Sequence, residues 1–551
     1  MTTPSTSIHK IAIPALNSLR FRVPSTPFTP PQSTTLNAAV SITILEGTAE
    51  LKGSELGVVT DLVEGDYEIW TWFGATVLIG GIQDIFKLKD EGMDGMLDEE
   101  SGQGNTSTNT PIPTYPTITL APSTLTVFPS KVLTDCYLTT EFNGDCNCVP
   151  LINTHAQLEV MRESAYTSAL HSSVSPFTTP PTSPPPKVII CGSRRSGRHT
   201  VHRTLLSYAM KVRRSPLALN LDPGRVLHGL TPAQGTVGAK VVKGEWCNKG
   251  VTQDYTCWEA GSGGKVQGGG VCWFFGLPEV GAGKEWYKEI VGKVGDVVEG
   301  RGRKAREGGR QEGIKEWASG WIGVMPQGGM QGEEEGIEPE VVWEAVADLG
   351  ANVVICLDWN VGFNYLRSRA EAVEGVKVIK IPKSGGVERT GGGGKATASG
   401  YFRGVTRGKL EKGKEGDDDP SGSKSPPSGP PYWTTMKWSS LTFLQVSVVS
   451  VGSSMLPMGQ SEAISNVNVR EIERVKEGTV AAVMGDDAYE TFKANGRPGE
   501  LCKTGVRGFV VVGESRGEDE EKTVRIGTNV EGGIPGRTLI VGEGIEWVEG
   551  A

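Results

Sequence analysis

Residues 187–211 read KVIICGSRRSGRHTVHRTLLSYAMK. A short apolar run, Val188 to Cys191, meets a glycine-bearing turn, Gly192-Ser-Arg-Arg-Ser-Gly197-Arg198-His199-Thr200, which passes into a pattern with Val201, Leu205, Leu206 and Ala209 on one helical face. The order is strand, loop, helix. In a loop of the form G-x-x-x-x-G-K-[ST], backbone N–H groups at the helix N-terminus surround a phosphate, the Lys bridges the outer phosphates and the hydroxyl binds Mg²⁺. Both glycines stand here, but Arg198 takes the place of the Lys and His199 that of the hydroxyl. Anion capture by the backbone is therefore kept, while two side chains used in phosphoryl transfer are changed. A glycine turn between strand and helix is also common without any nucleotide, so the surrounding chain has to carry part of the assignment.

Downstream, Pro216-Leu-Ala-Leu-Asn-Leu-Asp222-Pro-Gly-Arg225 is an apolar strand ending in an acid. An Asp at the carboxyl end of a neighbouring strand is where a phosphate-loop protein positions Mg²⁺ or its water. A strand-end Asp that caps a turn is the equally ordinary alternative. Further on, Val341–Leu349 has a helical pattern, and Ala351–Asp358 and Val376–Pro382 read as strands. Apolar strands alternating with helices point to an α/β fold with a parallel sheet, in which Val188–Cys191, Leu217–Leu221 and Val353–Leu357 are expected as buried neighbours.

On either side the pattern changes. Leu19–Val23, Ala39–Leu45 and Tyr67–Trp72 alternate like short strands of a β domain; Leu444–Val451, Gly508–Val512 and Thr538–Val541 do so near the other end. Asn153-Thr154 is expected to cap a helix running to about Leu170. The 551 residues suffice for about three domains at roughly 100–200 residues each. These are 1–150, a β domain carrying a low-complexity insertion at 84–150; 151–432, the loop domain with Gly-rich insertions; and 433–551, a small β-rich α/β domain. The 75 Gly and 33 Pro cluster between apolar segments, so 84–150, 240–270, 300–312 and 390–430 are expected to be poorly ordered.

A net charge of −9 argues against bulk nucleic-acid binding, although Arg194, Arg195, Arg198, Arg203, Lys211, Arg213 and Arg214 make the loop region locally basic. The nine Cys form no CxxC pair and have no His at zinc-ligand spacing, which points away from a disulfide framework or zinc site. No apolar run reaches the roughly 18 residues of a membrane span, and the N-terminus has no continuous apolar core. A soluble intracellular protein is expected.

A set of blocks in order widens the reading: Gly47-Thr-Ala-Glu-Leu, Gly53-Ser-Glu-Leu56, Thr71-Trp-Phe-Gly74, Asn153-Thr-His155, the loop, Leu221-Asp-Pro-Gly224, Gly235-Thr-Val-Gly-Ala239, Pro382-Lys-Ser-Gly-Gly-Val-Glu-Arg389, Tyr401-Phe-Arg-Gly404, Leu456-Pro-Met-Gly459 and Gly508-Phe-Val510. Together they resemble the Clp-type polynucleotide 5′-hydroxyl-kinase family, in particular its fungal branch of pre-mRNA cleavage and polyadenylation factors within cleavage factor IA. The resemblance implies an N-terminal β-sandwich, a central P-loop sheet binding ATP and Mg²⁺, and a smaller C-terminal domain. It also implies a nuclear location, other cleavage factor IA subunits as partners, including the polymerase-tail-binding scaffold subunit, weak or indirect contact with pre-mRNA, and no membrane. The residues implied for ATP are Gly192, Arg195, Ser196, Gly197, Arg198, His199 and Thr200, with Asp222 for the metal.

Against the family pattern, G-K-S-T has become Gly197-Arg-His-Thr200. Asp-Val-Gly-Gln has become Asp222-Pro-Gly-Arg225, and the Arg-rich lid has become Thr390–Gly400. The N-terminal Glu and Lys that grip the nucleotide in the family align with Ser18 and Asp66. Because imidazole is a poor Mg²⁺ ligand and lid arginines stabilise transferred phosphoryl charge, the expectation is a non-catalytic ATP-binding subunit and no enzyme. The alternative is an active RNA 5′-hydroxyl kinase.

Overall fold

The computed structural model describes residues 9–23, 40–51, 53–56, 59–62, 65–80, 134–140, 148–174, 183–225, 234–242, 270–307, 310–329, 336–383, 432–450, 465–495, 500–501, 505–517, 522–528, 534 and 536–546. The chain divides into two compact units. One is built from 1–51, 55–143 and 386–388, and the other from 52–54, 144–385 and 389–551.

The first unit is all β, as the alternating segments predict. Its strands are β1 (His9–Ile13), β2 (Asn17–Val23), β3 (Val40–Gly47), β4 (Glu50–Leu51), β5 (Ser54–Glu55), β6 (Val59–Leu62), β7 (Gly65–Thr71), β8 (Ala75–Gly80) and β9 (Thr134–Thr140). They form a four-stranded sheet in the order β1-β8-β3-β6 and a five-stranded one in the order β5-β4-β7-β2-β9. Val77 and Ile79 of β8 are buried at period two, as a sheet with one covered face requires, whereas in β2 Ser18 and Arg20 are buried between Leu19 and Phe21, so both faces of that strand are covered. The stretch 84–150 is therefore not insertion throughout. Thr134–Thr140 pairs antiparallel with β2, Leu19 opposite Leu138, where strand-forming residues offset the Thr-rich composition. Residues 81–133 lie outside the described part.

The second unit begins with α1 (Cys148–Val174). It starts earlier than the Asn-Thr pair suggests: Thr154 lies inside the helix, its hydroxyl donating to the Pro150 carbonyl four residues back at 2.8 Å instead of capping. The chain then runs β10 (Lys187–Gly192), α2 (Arg198–Lys211), β11 (Leu217–Asn220), β12 (Thr236–Val241), β13 (Gly270–Phe274), α3 (Lys284–Glu307), α4 (Gln311–Ala318), β14 (Trp321–Val324), α5 (Pro339–Asp348), β15 (Val353–Leu357), α6 (Asn360–Glu371) and β16 (Lys377–Ile381). The sheet order is β13-β12-β11-β14-β10-β15-β16. Five strands, β11, β14, β10, β15 and β16, are parallel, and β12 and β13 add an antiparallel edge.

β10 occupies the middle of the five parallel strands, where both its faces are covered and both are apolar. Val188 and Ile190 pack with Leu151, Leu158, Val201, Leu205 and Leu206 of α1 and α2. Ile189 and Cys191 face the other way, toward Tyr287, Ile290, Val294 and Val342 of α3 and α5. Each fully buried aliphatic side chain of this kind is worth about 1.5–3 kcal/mol of burial. The three expected strands are buried and in one sheet, but β11 does not touch β10. The short run Trp321-Ile-Gly-Val324 inserts as β14 between them, with Ile322 opposite both Val188 and Ala218. The tract 300–312, expected to be poorly ordered, carries the end of α3 and the start of α4, where Arg301 pairs with Glu316 at 2.9 Å. Residues 243–269 and 384–431 lie outside the described part.

β17 (Tyr432–Lys437), β18 (Thr442–Ser450), β19 (Ser465–Glu471), β20 (Thr479–Met484), α7 (Asp486–Asn495), β21 (Gly508–Arg516), β22 (Thr523–Thr528) and β23 (Thr538–Glu546) complete the unit. The sheet order is β17-β22-β21-β20-β23-β18-β19. One face (Leu444, Val446, Val480, Phe509, Ile540) joins the hydrophobic core of the central sheet; the other (Phe443, Ala481, Val510, Leu539) forms its own.

Candidate phosphate-loop site

Gly192 ends β10, and its lack of a side chain is a packing requirement: a Cβ there would sit 2.4 Å from the Leu357 carbonyl oxygen and 2.6 Å from the Ser196 hydroxyl. The loop stays attached to the sheet after the strand. Ser193 N–H donates to Leu357 O at 3.2 Å, and Gly192 O accepts from Gly328 N–H at 2.8 Å. Gly328 in turn lies under the indole of Trp359, which leaves no room for a Cβ at Gly328. The Trp359 Nε1–H donates to Gly329 O at 3.2 Å.

From there the backbone turns through two left-handed residues, Arg195 at φ 59° and Gly197 at φ 87°. The second is the N-cap of α2, with no side-chain cap and no acid in the first turn. The first turn of a helix leaves N–H donors without intrahelical acceptors, so this terminus presents a positive end with no anionic side chain of its own. Within the loop, Arg194 and Arg195 are exposed, while Ser196 is fully buried with a hydroxyl that meets no hydrogen-bond partner among the described residues.

Arg198 opens α2 and turns into the protein. Its Nη1–H donates to the Met325 carbonyl just beyond β14, and its Nη2 lies 3.6 Å from Asp222 Oδ2. His199 Nε2 approaches the same Oδ2 at 3.4 Å. Asp222 follows β11, its Oδ1 accepting from Gly224 N–H at 3.1 Å. The strand-end acid thus has both roles at once, a turn cap through Oδ1 and a charged group facing the loop through Oδ2. Both side chains of the Arg198–Asp222 pair are only 7% exposed. Burial pushes the Asp222 carboxyl up and the Arg198 guanidinium down, and each opposes the other's shift by its charge. Beneath them, the buried Tyr287 hydroxyl donates to Leu221 O at 2.9 Å, and burial beside Asp222 raises its pKa.

The structure therefore brings Gly192, Ser196, Arg198, His199 and Asp222 together, with Thr200 one residue further along the helix. Sequence reasoning did not supply Met325, Gly328, Tyr287 or Trp359. Met325 and Gly328 act through backbone atoms, and a residue type carries no signal for that. Ser18 and Asp66 belong to the other unit. There Ser18 Oγ–H donates to Glu68 Oε1 at 3.0 Å beside the Arg20–Glu68 ion pair, and Asp66 stands opposite Arg22 in the β2–β7 register.

A phosphate group fits this loop: the left-handed turn, the uncapped helix terminus and the partnerless Ser196 hydroxyl all suit an anion, and a Cβ at Gly192 would fill the cradle. Mg²⁺ does not fit in the same way. Its oxygen ligands, at about 2.0–2.1 Å, are mostly water and substrate phosphate with one or two protein carboxylates, and among the described residues here the protein's share falls to Asp222 alone. The groups facing Asp222 Oδ2 are two nitrogens, one of them a guanidinium. Among the described residues no cluster of three His, Cys, Asp or Glu side chains is disposed to hold a metal.

A largely parallel sheet of this topology, with an uncapped loop and helix following β10 and further β-rich parts in the chain, is an α/β architecture of the P-loop-like class. The family that the comparisons return is the one the ordered blocks resemble. A family model described as "Pre-mRNA cleavage complex II protein Clp1" matches residues 430–549. The protein CLP1 homolog of Arabidopsis thaliana is 23% identical over 519 residues, covering 92% of this chain and 89% of that protein. The mRNA cleavage and polyadenylation factor CLP1 of Laccaria bicolor is 24% identical over 411 residues, 72% of this chain and 81% of that one. The polyribonucleotide 5′-hydroxyl-kinase Clp1 of Rattus norvegicus is 24% identical over 361 residues, 66% and 70% of the two chains. Among solved structures, a wild-type Clp1p–Pcf11p complex superposes with a TM-score of 0.60 at 14% identity, covering 98% of this chain and 99% of that one, which shows the fold.

Relatives that are kinases are enzymes, and this overturns the expectation that the chain is no enzyme. That expectation rested on altered loop side chains. Arg198 nevertheless keeps a cation at the position of the Lys, so the substitution alone does not remove phosphate chemistry. No helix among the described residues is long and apolar enough to cross a membrane.

Proposed function

We propose that this chain is an ATP-binding subunit of the nuclear machinery that cleaves and polyadenylates pre-mRNA 3′ ends. The observation that carries the reading is the loop from Gly192 to Thr200, tied to Leu357 and Gly328 and ending at a helix terminus without a cap. Gly197, Arg198, His199 and Thr200 supply N–H groups for the phosphates, and Arg195 and Ser196 shape the turn that aims them. When bound, ATP supplies a terminal phosphoryl group. The subunit role is supported by the match over 430–549 and by relatives named as cleavage and polyadenylation factors. Assembly with a Pcf11-type partner is supported by the Clp1p–Pcf11p complexes of the same fold, one of them concerning a point mutant that loses ATP.

A second reading, a polyribonucleotide 5′-hydroxyl kinase, is favoured by the relatives of that name in rat and mouse. Calorimetry with ATP and capture of a Pcf11 fragment test the first reading; transfer of labelled phosphate from ATP to 5′-hydroxyl RNA tests the second. Failure to bind ATP at millimolar concentration would overturn the site.

A further inference from the structure

Asp222 is the one acid in the two segments that build the site, 192–200 and 221–225, and four arginines, Arg194, Arg195, Arg198 and Arg225, share those segments with it. The fixed side-chain charge of these segments is positive, so the negative charge of a polyphosphate is offset in part by the protein itself. Geometry points the same way. A Mg²⁺ ion near 2.1 Å from Asp222 Oδ2 would have to enter a space bounded by Arg198 Nη2 at 3.6 Å and His199 Nε2 at 3.4 Å from that oxygen. Guanidinium cannot ligate a metal, and imidazole is a poor partner for a hard cation. Nor does Arg198 hang loosely, since its other terminal nitrogen donates to the Met325 carbonyl and its side chain is buried.

We infer that this site takes its nucleotide as the metal-free polyphosphate, the Arg198 guanidinium standing against Asp222 where a loop with Lys and Ser/Thr would hold Mg²⁺. The inference rests on the nucleotide reading above and adds the form of the ligand. A fixed cation whose terminal nitrogens face Met325 and Asp222 lends its charge to phosphates held on the N–H groups of the loop. The phosphates then bind to N–H groups and guanidinium alone, with no ion to be recruited from solution.

The test is calorimetry on the full chain with ATP, once in excess Mg²⁺ and once in EDTA. The expected result is a Kd unchanged within about twofold; weakening of about tenfold or more in EDTA overturns the inference and leaves ATP binding in place. Absence of binding in both buffers overturns the nucleotide reading and this inference with it, so the two failures are distinguishable. The double variant Arg198→Lys, His199→Ser restores a short-range oxygen ligand and removes the fork. After a thermal-unfolding check that it is folded, its ATP affinity is expected to become metal-dependent by about tenfold. Metal-independent binding by the folded variant counts against the assignment to Arg198, and the unmodified chain in the two buffers stands as a test by itself.

Discussion

Arg198 Nη2 and Asp222 Oδ2 face each other at 3.6 Å with both side chains 7% exposed, so the first residue of α2 and the residue that ends β11 form one buried charged unit. A pair of this kind adds little net stability over an apolar pair but is costly to break, because the survivor is left charged without a partner.

Arg198→Met should therefore destabilise the protein by about 3–5 kcal/mol near neutral pH. The pH dependence follows from Asp222, whose folded pKa is raised by burial. A carboxyl with a raised folded pKa contributes its full stability below its unfolded value, about 3.9, and loses it as pH rises through the folded value. Removing Arg198 takes away the larger of the two charges that limit that rise, the other being Arg225. The gap in Tm between variant and parent should be smaller at pH 4.5 than at pH 7.5, and an equal gap at both would show that Asp222 is not the strained partner.

His202, one turn further along α2, gives a prediction of opposite sign. It is fully buried, with Nε2 3.0 Å from the Ile322 carbonyl oxygen, and burial lowers its pKa to about 4. A depressed folded pKa keeps stability above the unfolded value of about 6.5 and loses it as pH falls toward the folded one. Between pH 7.5 and pH 5 the loss should be about 2 kcal/mol. His202→Gln keeps a hydrogen-bonding amide near Ile322 without the titration, and its stability profile over that window should be flatter. An unchanged profile in urea unfolding would remove His202 from the account.

The strands of the central sheet were legible because a strand buried on both faces is a run of apolar residues, and Val188–Cys191 and Val353–Leu357 are such runs. β14 was not, since Trp321-Ile-Gly-Val324 is four residues long, contains a glycine and follows α4 almost without a break. Position in the sheet is a long-range property: β14 separates β10 from β11 although it begins 101 residues after β11 ends and 129 after β10 ends. The site divides likewise. Residue types revealed the glycines, the Arg for Lys and the strand-end Asp. Which way Arg198 turns depends on a carbonyl at Met325, 127 residues away.

The loop glycines differ in what they tolerate. Gly192→Ala places a Cβ against the Leu357 carbonyl and the Ser196 hydroxyl, so the loop must shift, and ATP affinity should fall by about tenfold or more. Gly197→Val forces a β-branched residue into φ 87°, costing about 1–2 kcal/mol for the left-handed backbone alone and blocking phosphate approach. Calorimetry on folded variants checks both; parental ATP affinity in Gly192→Ala would dissociate the loop from the nucleotide.

The last prediction concerns the joint between the central and C-terminal sheets, where three glycines meet. Gly276 N–H donates to Gly235 O at 2.9 Å, and a Cβ on Gly542 of β23 would lie 2.1 Å from Gly276 O and 2.7 Å from Ile545 Cδ1. Gly235 and Gly276 have φ of 73° and 79°, a left-handed backbone that a residue with a Cβ adopts only at a cost. Backbone touches backbone here, and that contact lets Val446, Ile540 and Ile545 enter the core shared with Val237 and Phe275. Gly542→Val should separate the sheets locally and cost about 1–3 kcal/mol, the usual penalty for overpacking. Because β10 and β15 have their own cover in α1, α2, α3 and α5, the loss should be uneven. Hydrogen exchange should quicken in β18 and β23 while β10 and β15 stay protected. Exchange that rises equally in all four strands would mean that the C-terminal sheet is integral to the stability of the central one.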